Sequence, residues 1–127
     1  MKIFICEQDQ TKARLLEAIL GHYSYKVVTV QKSNDLFKKI TQQTPAVIIV
    51  NEGFSDQFGI ETVNRLKNDP ETSKIPVIYI GKDQQLISQL HANRHNFVEA
   101  VQEPVRIKSL KHYIDRWTTL RSLYVKH

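Results

Sequence analysis

Five short apolar runs limit what this chain can fold into: "KIFIC" at 2–6, "KVVTV" at 26–30, "AVIIV" at 46–50, "PVIYI" at 76–80 and "FVEAV" at 97–101. Four are continuous or nearly so, and rich in Val and Ile. A strand with one wet face alternates apolar and polar residues; a run without alternation is covered on both faces, as in a parallel sheet between two helix layers. The intervening segments have helical spacing. Leu15, Leu16, Ile19 and Leu20 mark a first helix. Leu36, Phe37 and Ile40 mark a second, with Ser33 or Asn34 as its N-cap. Ile60, Val63 and Leu66 mark a third that stops near Asn68-Asp69-Pro70. Leu86, Ile87 and Leu90 mark a fourth; Ile107, Leu110, Ile114 and Trp117 mark a fifth. A strand–helix pair repeated in this way predicts right-handed crossovers and an open, doubly wound α/β sheet. The 127 residues suit one core, and no repeat, low-complexity tract or linker divides them, so 1–127 reads as a single domain.

In such sheets the working site lies beyond the carboxyl ends of the strands. That rule selects Glu7, Gln8 and Asp9; Asn51 and Glu52; Gly81 and Lys82; Gln102 and Glu103. Neither the dinucleotide fingerprint nor the phosphate-cradling Gly-rich loop is present, and four glycines leave little material for one. Zinc-type His/Cys spacing is missing, and His91 and His95 read as exposed. The lone Cys6 reads as a small buried hydrophobe; it cannot form an internal disulfide and fits a reducing cytoplasm. No apolar run is long enough to span a membrane, and the N-terminus lacks a signal-peptide pattern. The net charge of +5 is scattered over helix faces rather than gathered into a patch, so no nucleic-acid partner is expected.

Three passages add a family resemblance. "RLKNDPETSKIPVIYI" (65–80) runs from a helix through an Asp-Pro turn into a strand. "QEPV" (102–105) follows the fifth strand, and "GFSDQFG" ends on Gly59. Over roughly 2–120 the sequence resembles the receiver domain of bacterial response regulators, the CheY-like fold. The resemblance implies a flavodoxin-like sheet of strand order 2-1-3-4-5 and a cis Glu103-Pro104 bond. It also implies a phosphoryl acceptor aspartate after the third strand, an acidic pair binding Mg²⁺, a Thr or Ser after the fourth strand and a Lys before the proline. Those groups supply a nucleophile, charge neutralisation and a further cation.

Carried over residue by residue, the pattern fails at nearly every functional position. The acceptor position is Asn51, whose amide is no nucleophile. The acidic pair is Glu7 and Gln8, the hydroxyl position is Gly81, the lysine position is Glu103, and the switch-aromatic position is Ala100. Glu52 follows Asn51, but strand alternation sends it to the other face, and Asp56 lies in a loop. The expectation is a degenerate receiver of two-component phosphorelay signalling: not an enzyme, without cofactor, with weak or absent Mg²⁺ binding, acting as a phosphorylation-independent interaction module. The alternatives are a conventional or non-canonical phosphoacceptor, or the N-terminal receiver of a DNA-binding or enzymatic regulator. The resemblance implies a protein partner on the face of the fourth helix, fifth strand and fifth helix, with a homodimer as one form and no membrane contact. Candidate interface residues are Ile107, Leu110, Tyr113, Trp117, Leu120 and Tyr124. They lie on a last helix (about 105–124) that at 1.5 Å per residue reaches roughly 30 Å, past the sheet it crosses.

Overall fold

The structure is a computed structural model that describes residues 2–54, 59–92 and 97–124, with side chains as far as 119. Asp56 of the central loop, and the side chains of Leu120 and Tyr124, lie outside the described residues. The chain runs β1 (Lys2–Cys6), α1 (Gln10–His22), β2 (Lys26–Val30), α2 (Ser33–Gln42), β3 (Val47–Asn51), α3 (Gly59–Asn68), β4 (Val77–Gly81), α4 (Gln84–Ala92), β5 (Val98–Gln102) and α5 (Ile107–Tyr124). The sheet is parallel throughout, in the order β2-β1-β3-β4-β5.

Alternation along the strands builds two cores. Phe4, Cys6, Ile48, Val50, Val77 and Tyr79 face one side and pack with Leu36 and Ile40 of α2 and Val63 and Leu66 of α3. Ile3, Ile5, Val47, Ile49, Ile78 and Ile80 face the other and pack with Leu20 of α1 and Leu110, Ile114 and Trp117 of α5. Both faces of the central strands are therefore dry, which is why their sequences do not alternate. β3, β4 and β5 each begin one residue later than the apolar runs suggest. At β4 the cause is Pro76, which lacks the amide proton of a ladder position and contributes only its carbonyl, to Ile48 N–H.

Caps and turns fix the helices. Asp9 caps α1 by accepting from the N–H groups of Thr11 (2.8 Å) and Lys12 (3.2 Å). Asp83 accepts from Gln85 (3.0 Å) and Leu86 (3.3 Å) at the start of α4. At α2 the expected cap is displaced: Lys32 holds the N-cap position without a side-chain bond, and Ser33 and Asn34 already lie in the first turn. The turn after α3 is closed by Thr72 Oγ1 donating to the Leu66 carbonyl (2.6 Å) and by Lys67 Nζ donating to those of Ser73 (2.9 Å) and Ile75 (2.7 Å). Burial pulls the Lys67 amine down to about 7. Two polar clasps hold α5: Tyr25 donates its hydroxyl to Asp115, and Trp117 Nε1 donates to the buried Glu99 carboxylate (3.1 Å). Among the described residues, no helix is long and apolar enough to cross a membrane.

Candidate functional site

The carboxyl ends of β1, β3, β4 and β5 converge at one edge of the molecule. Asn51 is the last residue of β3 and pairs with Ile80; Gly81 ends β4 and pairs with Gln102. Strand alternation sends Asn51 to the α1/α5 side and Glu52 to the α3/α4 side. The two neighbours therefore serve different clusters.

On the α1/α5 side, Asn51 Nδ2 donates to Glu103 Oε1 at 3.1 Å, while Asn51 Oδ1 accepts from Gly53 N–H at 3.0 Å. Both ends of the amide are engaged. Glu103 is placed by its own N–H, which donates to the Gly81 carbonyl (2.9 Å), and by the cis bond to Pro104. Its second oxygen lies 4.0 Å from Lys82 Nζ, and that lysine is mostly exposed, so the pair is weak. Glu7 is buried, with the Asp9 N–H 3.4 Å from its Oε2. Burial is the main influence on Glu7 and pushes its carboxyl above the ordinary value. These residues form the floor of a groove of about 560 Å³ walled by Leu15, Leu16 and Ile19 of α1 and by Val105 and Ile107. Leu15, on the rim, is a large apolar side chain left 60% exposed.

On the α3/α4 side, Glu52 Oε2 accepts from the Lys82 backbone N–H at 2.8 Å. The carboxylate sits where a side chain at Gly81 would begin: a Cβ there would lie 2.4 Å from Glu52 Oε2 and 3.0 Å from Tyr79 Cε1. Burial, and after it the carboxylates of Glu52 and Asp83, pushes the Tyr79 hydroxyl up to about 12. Sequence reasoning places Glu52 correctly on the face opposite Asn51 but misses its role there. The available signal is Gly81, a residue without a side chain beside a long carboxylate one strand away.

Of the other positions singled out, Gln8 is exposed and makes no part of either cluster, and Ala100 is buried within β5 opposite Tyr79. The interface expectation for α5 needs correction. Leu110 and Trp117 are buried in the domain's own core, because the apolar stripe of α5 is what covers β1, β3 and β4. Ile107 and Tyr113 are half-buried.

A hard cation asks for several oxygen ligands, carboxylates among them. The second acidic residue of the pair is Gln8, and Asn51 Oδ1 already accepts from Gly53. Among the described residues no group of three His, Cys, Asp or Glu side chains is arranged to hold a metal ion. The residues present do not fit the Mg²⁺ site of a receiver.

The family model of the response regulator receiver domain matches residues 3–115. The chain is 24% identical over 109 residues to protein PilH of Pseudomonas aeruginosa, covering 86% of this chain and 90% of PilH. It is 23% identical over 100 residues to the phosphate regulon transcriptional regulatory protein PhoB of Rhizobium meliloti, covering 76% of this chain and 44% of PhoB. A response regulator receiver domain protein from Clostridium thermocellum superposes with a TM-score of 0.84 at 18% identity, over 98% of each chain. At that identity the structural likeness speaks for the fold.

Proposed function

The chain belongs to the response regulator receiver domain family, and from that premise we propose that it is a degenerate receiver of a bacterial two-component system, working as a protein–protein interaction module without phosphorylation. One observation carries this reading. Asn51, at the end of β3, donates its amide to Glu103 at 3.1 Å. Where phosphoryl transfer needs a carboxylate nucleophile and a nearby cation, this site has an amide and a carboxylate bonded to each other. An amide nitrogen does not attack phosphorus, and the Glu103 carboxylate repels the anionic donor. Signalling then rests on shape and surface. The family's usual partner face, α4, β5 and α5, remains the first candidate for a protein partner or a second copy. Among its described residues, Leu86 and Leu90 of α4, Val101 of β5 and Ile107 and Tyr113 of α5 are half-buried, while Leu110 and Trp117 serve the core.

The test is incubation with acetyl phosphate and Mg²⁺ followed by intact mass. No mass gain is expected; a stoichiometric gain of one phosphoryl group overturns the reading. A second reading, the receiver part of a longer regulator, is favoured by the chain spanning 44% of PhoB. Immunoblotting of the source cell for the protein's full length decides between them.

A further inference from the structure

We infer that the Glu52 carboxylate positions the β4–α4 junction by holding the first amide beyond β4. The inference rests on the degenerate-receiver reading for its meaning, while its geometry stands separately. The Glu52 carboxylate reaches across from the end of β3 and accepts the Lys82 N–H at 2.8 Å, the first amide beyond β4. Hydrogen bonds to an ionised acceptor are about twice as strong as neutral ones. The neighbouring residue, Asp83, accepts from Gln85 and Leu86 and receives Ile87 N–H at its carbonyl (3.0 Å), so it sets the first turn of α4. Fixing Lys82 thereby fixes the point from which α4 starts.

The Glu52 backbone is anchored independently of the contact. Glu52 N–H donates to the Ile80 carbonyl (2.9 Å), and the Glu52 carbonyl accepts from Gly59 N–H (2.7 Å). The carboxylate therefore leaves from a rigid base. The space it enters exists because Gly81 has no side chain: a Cβ would come within 2.4 Å of the carboxylate oxygen and 3.3 Å of Glu52 Cβ. The contact needs both residues, and an alanine at 81 would displace the carboxylate, the movable end of a flexible side chain, rather than the backbone.

Amide hydrogen exchange of the full chain, read residue by residue by NMR, tests this. In the unaltered protein the Lys82 amide should exchange at least about tenfold slower than an unstructured amide, the scale of a hydrogen bond to a charged acceptor. Glu52→Ala removes the acceptor and Gly81→Ala displaces it. Each should speed Lys82 exchange by on the order of tenfold or more and speed Gln85, Leu86 and Ile87 with it. Thr11, capped by Asp9 in α1, should stay unchanged. An unprotected Lys82 amide in the unaltered protein overturns the inference, with no variant needed. So does a change confined to Lys82 while the first turn of α4 stays within about twofold, because the contact then positions nothing. Phosphorylation of the unaltered chain would instead defeat the functional reading and leave these exchange rates as they are.

Discussion

Substituting Gly59 by alanine should damage the site more than its distance from any reactive group suggests. Gly59 is the first residue of α3, and a Cβ there would lie 2.3 Å from the Asn51 carbonyl oxygen, 2.9 Å from Glu52 Cα and 3.0 Å from the Asn51 carbonyl carbon. All three are backbone atoms, and all are tied: the Asn51 carbonyl accepts from Phe54 N–H (3.0 Å), and Glu52 N–H donates to Ile80 (2.9 Å). Relief requires α3 to withdraw by about 1 Å, which breaks or lengthens the 2.7 Å bond from Gly59 N–H to the Glu52 carbonyl. Overpacking costs about 1–3 kcal/mol and the strained hydrogen bond about 1 kcal/mol. Alanine's helix preference returns at most about 1 kcal/mol, less at a first helical position. A net loss of about 2–3 kcal/mol should appear as a lower urea midpoint with an unchanged slope. The Asn51 side-chain NH₂ resonances should shift as well, because the carbonyl being pushed belongs to the residue that holds Glu103. Gly21→Ala is the matched control: nothing lies within 4 Å of the added methyl inside α1, so a gain of about 0.5–1 kcal/mol is expected. A Gly59→Ala loss below about 0.5 kcal/mol, with Asn51 unmoved, would refute the close-approach argument.

Trp117→Phe removes the Nε1–H that donates to the Glu99 carboxylate (3.1 Å), leaving it under α5 with Arg116 at 3.7 Å. A loss of about 2–4 kcal/mol is expected in chemical denaturation, much of it recovered when Glu99→Leu is combined with it. Glu7→Gln should raise the melting temperature at neutral pH. Burial lifts the folded carboxyl above its ordinary 4.5, so Glu7 weakens the fold as pH rises from there through the folded value, and the variant's advantage should vanish in melts taken below 4.5. Asn51→Asp alone should destabilise at neutral pH, and Glu103→Lys alone leaves the Asn51 amide without its acceptor; a double-mutant cycle should show favourable coupling of about 1–3 kcal/mol. Truncation after Thr118 should leave a folded monomer and abolish any self-association of the full chain; an unchanged sedimentation profile sets the α5 interface aside.

The fold was legible because its signal is redundant. Five unalternating Val/Ile runs separated by helical spacing leave few options, and "RLKNDPETSKIPVIYI" adds a specific one. The starts of β3, β4 and β5 differ by one residue from the apolar runs because hydrophobicity marks what is buried, whereas a strand is bounded by its ladder, as Pro76 illustrates. Leu110 and Trp117 depart from the interface expectation for a related reason. A periodic apolar stripe announces burial without saying against what, and here Leu110 and Trp117 are buried by the chain's own sheet. The site positions come from the strand ends and the family resemblance, while their partners do not. That Asn51 would donate to Glu103, or that Glu52 would reach Lys82, depends on side-chain directions several ångströms beyond the strand ends, where no periodicity operates.

Those partners change how the departures from the receiver pattern relate to one another. Taken singly, Asn51, Glu103 and Gly81 look like independent losses. In the structure they are conditional. With a carboxylate at 103, an aspartate at 51 would set two like charges on a 3.1 Å contact, whereas an amide there supplies a donor. With a carboxylate at 52 leaning over the end of β4, a side chain at 81 would collide with it, whereas glycine leaves the room. Each pair replaces an ionic or covalent relation with a neutral or charge-assisted hydrogen bond inside one chain. The consequence is directional. Reverting Asn51, Glu103 or Gly81 toward the family pattern disturbs one of these contacts before it restores any chemistry, so under the degenerate-receiver proposal packing opposes phosphoryl transfer alongside the missing nucleophile.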